Sequence, residues 1–361
     1  MDRGSKRLNF TVGPVMMNDE VLQIGGQDNP YFRTADFSAL MKENERMLLS
    51  LAGAGEKDRV VFLTASGTGG MEMAVINAFT AQDNVLVING GSFGARFEQL
   101  LDMHGIPHEV IRLEPGRALK PEHLVPFENT GLTGLVVNMH ETSTGVLYDM
   151  PLISDFCARN GLFLVVDAIS AFLADELTFA KWGIDTLITA SQKAVALPPG
   201  MSFLVLSERA VARAAQINCP CMYFNIPDYL KNGERGQTPF TPAVGVLLQL
   251  HERLTQISRD GIGSEQKRIA HLAAYFRARL EGLPFEPLAE TPSNAVTALK
   301  MLDERSAYEI FTRLDKEYNI WICPNGGELK DSVFRVGHIG ALMKEDYDRL
   351  LAALQEVCAQ G

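Results

Sequence analysis

Between residues 55 and 210 the chain repeats one rhythm: a short apolar run, a turn, then a helix-length amphipathic stretch. The runs fall at 60–63, 85–88, 135–137, 162–166, 186–189 and 202–206. They are rich in Val, Ile and Leu without polar alternation, which suits strands covered on both faces by helices. Strands alternating with helices in this way predict an α/β fold with a parallel sheet and right-handed crossovers. Helices are expected at about 70–79 and 96–104, after the first two runs.

Beyond about residue 245 the pattern changes. Two long helical stretches, 245–261 and 264–283, precede a strand at 295–302, a helix at 306–316, a strand at 333–336 and a closing helix at 344–358. This reads as a smaller α/β unit, with a seam near the Pro- and Gly-containing segment 233–242. A length of 361 residues suits one large domain plus a smaller one, and 46% hydrophobic residues excludes disorder as the dominant state.

Charge narrows the partners. Lys plus Arg total 33 against 44 Asp plus Glu, a net charge of −11. Such a surface repels nucleic-acid backbones and anionic lipid, and no run of 18 apolar residues exists to span a membrane. The five cysteines are odd in number and irregularly spaced, so a disulfide framework is not expected. Cys219-Pro220-Cys221 lacks neighbouring ligands for zinc, and no metal is expected. Reduced, mostly buried thiols are the expectation. Residues 1–7 are polar and run into Leu8-Asn9-Phe10 without a signal-peptide core, so a cytoplasmic location is expected.

Ligands of parallel α/β sheets bind beyond the carboxyl ends of the strands. Here those ends carry Ser66-Gly67-Thr68, Asn89-Gly90-Gly91-Ser92-Phe93, His140-Glu141-Thr142-Ser143-Thr144-Gly145, Asp167 and Ser191-Gln192-Lys193. Ser66-Gly67-Thr68 can cradle an anion at a helix start, or can simply cap the helix. It has neither P-loop nor dinucleotide-fingerprint spacing. Asp167 closes a five-residue apolar run, so its carboxylate needs a partner, either a protonated ring nitrogen or an ordinary cap or ion pair. Lys193 is a solvated surface residue or, in low dielectric, a nucleophile with a lowered pKa. Taken together the strand ends describe pyridoxal phosphate, which wants a helix N-terminus, a carboxylate, an aromatic and a lysine.

At this point the chain resembles the class V, fold-type I pyridoxal-phosphate aminotransferases. It is most like the branch of alanine–glyoxylate, serine–pyruvate and 2-aminoethylphosphonate–pyruvate transaminases. The likeness runs from Phe10-Thr11-Val12-Gly13-Pro14 to Phe334-Arg335-Val336-Gly337. It implies a large cofactor domain, 15–245, with a mostly parallel seven-stranded sheet between helices, and a small α/β domain made of 1–14 and 246–361. By the same resemblance Ser66, Gly67, Thr68 and Gln192 hold phosphate and Phe93 stacks on the ring. Thr142 lies near the ring oxygen, Asp167 meets the ring nitrogen and Lys193 forms the Schiff base. Thr241 reaches the phosphate of a neighbouring subunit, implying a homodimer, and Arg335 grips the acidic group of the substrate. An arginine fork suits carboxylate and phosphonate alike.

The implied reaction is transamination from a small amino donor to a small 2-oxo acid, pyruvate or glyoxylate, by a ping-pong route. His140-Glu141-Thr142-Ser143-Thr144-Gly145 leans toward 2-aminoethylphosphonate as donor, with serine and alanine close behind. Cysteine desulfuration or β-elimination on the same scaffold is the nearest rival. Desulfurases carry His before the lysine, where this chain has Gln192. A non-covalent nucleotide- or sugar-binding protein leaves Lys193 without a role. His140 reads as structural, Arg96 as an ion-pair former, and Cys323 as non-catalytic.

Overall fold

In a computed structural model, residues 7–359 are described. The polar opening, residues 1–6, lies outside them, so the reading of that segment and the first part of the 1–14 assignment do too. The apolar runs become the strands β1 (Arg59–Leu63), β2 (Val85–Asn89), β3 (His108–Arg112), β4 (Gly134–Asn138), β5 (Phe163–Asp167), β6 (Thr186–Ala190) and β7 (Ser202–Leu206). They form one seven-stranded sheet in the order β1-β7-β6-β5-β4-β2-β3. Every residue of β4, β5, β6 and β7 is buried, as non-alternating runs require when helices cover both faces.

One feature bears out the mostly parallel sheet, and two depart from the sequence reading. Strand β7 runs antiparallel to both of its neighbours, β1 and β6. An apolar run carries no mark of direction, so the sheet is mostly rather than wholly parallel. Strand β3, His-Glu-Val-Ile-Arg, went unread because it is an edge strand with only Ile111 buried and so lacks a continuous apolar run. The helix after β1, here α1 (Gly67–Ala78), starts three residues earlier than predicted. Glycine is a poor helix former, but here it permits contact. A Cβ on Gly67 would stand 2.6 Å from Cδ1 of Ile169, and one on Gly70 3.0 Å from Ile188 and Ser202. Close packing of α1 onto the sheet thus overrides propensity.

A second sheet holds β8 (Phe285–Pro287), β9 (Val296–Met301), β10 (Cys323–Pro324) and β11 (Val333–Gly337), in the order β8-β9-β11-β10 and antiparallel throughout. Its core joins Leu272, Phe276, Phe334, Tyr347 and Leu354 with Leu8 and Phe10 from the start of the chain. Leu8–Asn9 pairs in parallel with Ile320–Trp321. The long helix α2 (Val244–Asp260) sends Leu247, Leu250, Leu254 and Ile257 into the core of the larger sheet. The five cysteines are free, as expected, but only Cys157 is buried; the other four are half-buried. Among the described residues no helix is long and apolar enough to cross a membrane, and no cluster of His, Cys, Asp and Glu could hold a metal.

Candidate active site

Five parallel-running strand ends, those of β1, β2, β4, β5 and β6, converge on one edge of the sheet. A cavity of about 120 Å³ opens there, lined by Ser66, Gly67, Thr68, Met71, Phe93, Arg96, His140, Thr142, Asp167, Ile169, Ser170, Gln192 and Lys193. Eight of the ten residues singled out from sequence therefore meet in one place. Two stand apart. Thr241 is exposed, beside Phe240, which stacks on Tyr223 at 4.9 Å. Arg335 comes from β11 of the other sheet and is not among the lining residues, though its guanidinium donates to the carbonyl of Thr142, which is.

Each side chain is positioned by local folding. At the start of α1 the hydroxyl of Ser66 makes no capping bond, so the simple-cap reading of this turn fails. First-turn amides without a cap are donors waiting for an acceptor, and the helix dipole favours an anion there. The turn is pinned from behind, where Ser202 Oγ at the start of β7 donates to the carbonyls of Ser66 (2.7 Å) and Ala65 (3.3 Å). Thr68 Oγ1 accepts from Arg96 Nη1 at 2.9 Å, and the same guanidinium lies 5.2 Å from the Phe93 ring centroid. No carboxylate among the described residues pairs with Arg96, which corrects its reading as an ion-pair former.

Asp167 ends β5 with its side chain buried and accepts one hydrogen bond, from Ile169 N at 2.8 Å. Burial pushes its pKa up to about 7, with the Glu141 charge adding to the rise and the Ile169 amide and Lys193 opposing it. No basic group among the described residues forms an ion pair with this carboxylate, the condition a protonated ring nitrogen would relieve. Lys193 is 8% exposed, and burial draws its pKa down to about 8, with Arg335 and Arg96 adding to the fall and Cys323 and Asp167 resisting it. A substantial share of its amine is neutral in mildly alkaline solution, as a nucleophile and base must be. Gly13, at φ +133°, presses on its stem: a Cβ there would sit 2.7 Å from Lys193 Cδ.

Sequence reasoning missed Glu141. Its carboxylate is fully buried and accepts from Gly94 N (3.0 Å), Phe93 N (3.4 Å), Ser143 N (3.1 Å) and Asn138 Nδ2 (2.9 Å), and from the Ser143 hydroxyl. It closes the turn that presents Phe93. It stands four residues beyond the apolar run 135–137, and no local pattern marks it out. Thr142 Oγ1 donates to Ser170 Oγ at 2.8 Å. Arg335 Nη1 and Nη2 donate to the carbonyls of Thr142 (3.2 Å) and Pro324 (2.6 Å), while its buried Nε has no partner. His140 is 3% exposed with neither ring nitrogen partnered, which a satisfied structural histidine would not show.

The residues present fit pyridoxal phosphate on this chain's own terms. The uncapped helix start suits a phosphate, Asp167 awaits a cation, and Lys193 is a buried reactive amine. Comparison with known proteins agrees. A family model for class-V aminotransferases matches residues 27–328. The crystal structure of an alanine–glyoxylate aminotransferase from Nostoc sp. superposes with a TM-score of 0.92 at 26% identity, over 98% of this chain and 95% of that one. The L-aspartate–glyoxylate aminotransferase of Paracoccus denitrificans (strain Pd 1222) is 26% identical across 79% of this chain and 74% of its own. A protein named soluble hydrogenase 42 kDa subunit, from Anabaena cylindrica, is 30% identical across 90% of this chain and 86% of its own. The chain belongs to the class-V aminotransferase family, and is thereby a pyridoxal-phosphate-dependent transaminase of fold type I.

Proposed function

We propose that this transaminase moves an amino group from a small donor (alanine, serine or 2-aminoethylphosphonate) to pyruvate or glyoxylate in two half-reactions. The observation that carries the reading is the meeting of Lys193, Asp167 and the uncapped start of α1 in one small cavity. The family match supports the reaction class, and the glyoxylate aminotransferases among the relatives support small acids as substrates.

Pyridoxal phosphate, when bound, supplies an electron sink for the carbon that carries the amine. The chain does the rest. Ser66, Gly67, Thr68 and Gln192 hold the phosphate, and Phe93 covers the ring face. Thr142, whose hydroxyl donates to Ser170, would lie near the ring oxygen. Asp167 keeps a proton on the ring nitrogen, which strengthens electron withdrawal. Lys193 would hold the cofactor through its amine and, as a free amine, would take a proton from the substrate carbon and give it back. Arg335 holds the acidic group of the substrate. Two of its five N–H donors are tied to main-chain carbonyls, which leaves three for an oxyanion.

The exposed Thr241 supports a homodimer in which it reaches the phosphate of the neighbouring subunit. We divide the chain into a cofactor unit, 15–245, and a smaller unit of 1–14 and 246–361. The pairing of Leu8 with Ile320 supports placing the start of the chain in the smaller unit, while α2 packs on the core of the larger sheet. Five free thiols support a cytoplasmic location.

Borohydride reduction followed by peptide mapping tests the assignment: a reduced adduct is expected on the peptide containing Lys193 and is expected to vanish in Lys193→Ala. An adduct on another lysine overturns it. Single-turnover conversion of the bound cofactor with each donor in turn identifies the substrate, and kinetics that require both substrates bound together reject the two-step order.

A further inference from the structure

His140 occupies the first position of a two-residue strand, His140–Glu141, that pairs with Val146–Leu147 beyond the end of β4. Among the described residues neither of its ring nitrogens has a hydrogen-bond partner, although the side chain is 97% buried and lines the same cavity as Lys193 and Asp167. A neutral imidazole carries one donor and one acceptor, and burying both without partners is costly. A core histidine placed for packing alone would normally bond at least one of them. The ring is therefore built to meet something that enters the cavity.

Its surroundings indicate what that is. The charges that bear on His140 are Lys193, Arg277 and Arg335, all positive. Together with burial they keep the imidazole neutral, drawing its pKa down to about 3. A proton on the ring would add a fourth cation to that group, which favours the neutral ring. What remains is a neutral N–H donor in a positive field, beside the arginine assigned to the acidic group of the substrate. Resting on the transaminase reading above, we propose that His140 is a specificity-determining residue that donates a hydrogen bond to an oxygen of the bound substrate acid. Because the donor is uncharged, its contribution depends on geometry and favours a planar carboxylate at fixed distance. Arg335 supplies the charge attraction.

The test uses the cofactor-loaded enzyme and its His140→Asn and His140→Leu variants. Each is first checked for pyridoxal phosphate affinity and for an unchanged visible absorbance band. In His140→Leu the KM for the oxo acid and for the amino donor is expected to rise about tenfold, as the loss of one hydrogen bond to an anion implies, with kcat changed less than about threefold. His140→Asn, which keeps a side-chain N–H, should recover most of that rise. The pH limbs of kcat/KM should stay in place in both variants.

Unchanged KM values in a fully loaded His140→Leu overturn the proposal. So does weakened cofactor affinity with KM unmoved, which would place the hydrogen bond on the cofactor instead. Loss of a pH limb would make His140 a titrating catalyst and is equally fatal. Borohydride labelling of Lys193 in the unaltered enzyme reports separately on the transaminase reading, so failure of one claim is distinguishable from failure of the other.

Discussion

At the residue scale the site is defined by two buried groups of opposite sign whose environments move their pKa values toward each other. Asp167 is held at about 7 and Lys193 at about 8, in both cases chiefly by burial. For Asp167 the folded chain binds a proton more tightly than the unfolded chain does, so cofactor-free stability falls as pH rises from about 4 to about 7. Asp167→Asn keeps an acceptor for the Ile169 amide and removes the charge. The cofactor-free variant should melt at a higher temperature than the parent at pH 7 and above, with the gap closing toward pH 4, while its transamination rate falls steeply. A melting curve measured across that pH range checks the sign. For Lys193 the expected consequence is kinetic: the proton-transfer rate, followed in single turnovers with deuterated donor, should rise with pH and level off above about 8.

At the scale of elements, function depends on how strand ends are turned. Five of the six parallel strands of the larger sheet end in loops whose residues line one cavity, and three of those loops are held by groups outside the chemistry. Ser202 holds the Ser66 turn, Glu141 holds the Phe93 turn, and Gly13 bears on Lys193. Glu141→Gln replaces an acceptor-only carboxylate by an amide, losing charge-assisted bonds to the start of the Gly94–Met103 helix. Hydrogen bonds to charged groups are worth about 1.5–3 kcal/mol each, so urea unfolding should show a loss of at least that size. Pyridoxal phosphate should also bind more weakly, since Phe93 is no longer fixed.

These supports mark the limit of what local sequence carries. Ser66, Asp167 and Lys193 were readable because each stands one to four residues beyond the end of an apolar run whose burial sets its chemistry. Glu141 and Ser202 act across 47 and 136 residues of chain, at Gly94 and Ser66, and no local pattern announces such a contact. Arg96 misled for the same reason: its partners are a hydroxyl and an aromatic face brought from elsewhere, where composition suggests a carboxylate.

At the scale of the whole molecule, the two sheets are joined by the chain's own beginning. Phe10 is fully buried in the smaller core and packs edge-on to Tyr347 at 5.0 Å. Three residues later Gly13 touches Lys193. Phe10→Ala should destabilise the fold by about 3–5 kcal/mol, as for other large-to-small aromatic changes in a core, measured by chemical denaturation. Because the same segment abuts the lysine, its activity should fall by more than the unfolded fraction accounts for. The exposed Thr241 carries the assembly prediction. Sedimentation should give about twice the 39.7 kDa chain mass, and mixed Lys193→Ala and Thr241→Ala subunits should recover activity above either alone.

What the linear order of residues determined by itself was the α/β rhythm and the chemistry gathered at the strand ends. Both are written locally, in unbroken apolar runs and in the one or two polar residues that follow each. Tertiary structure alone decided the antiparallel course of β7, the edge strand β3, the early start of α1 and the unpartnered ring of His140. Each of these depends on which atoms are absent or present a few ångströms away. That proximity is set by packing between residues far apart in the chain, which no window of sequence contains.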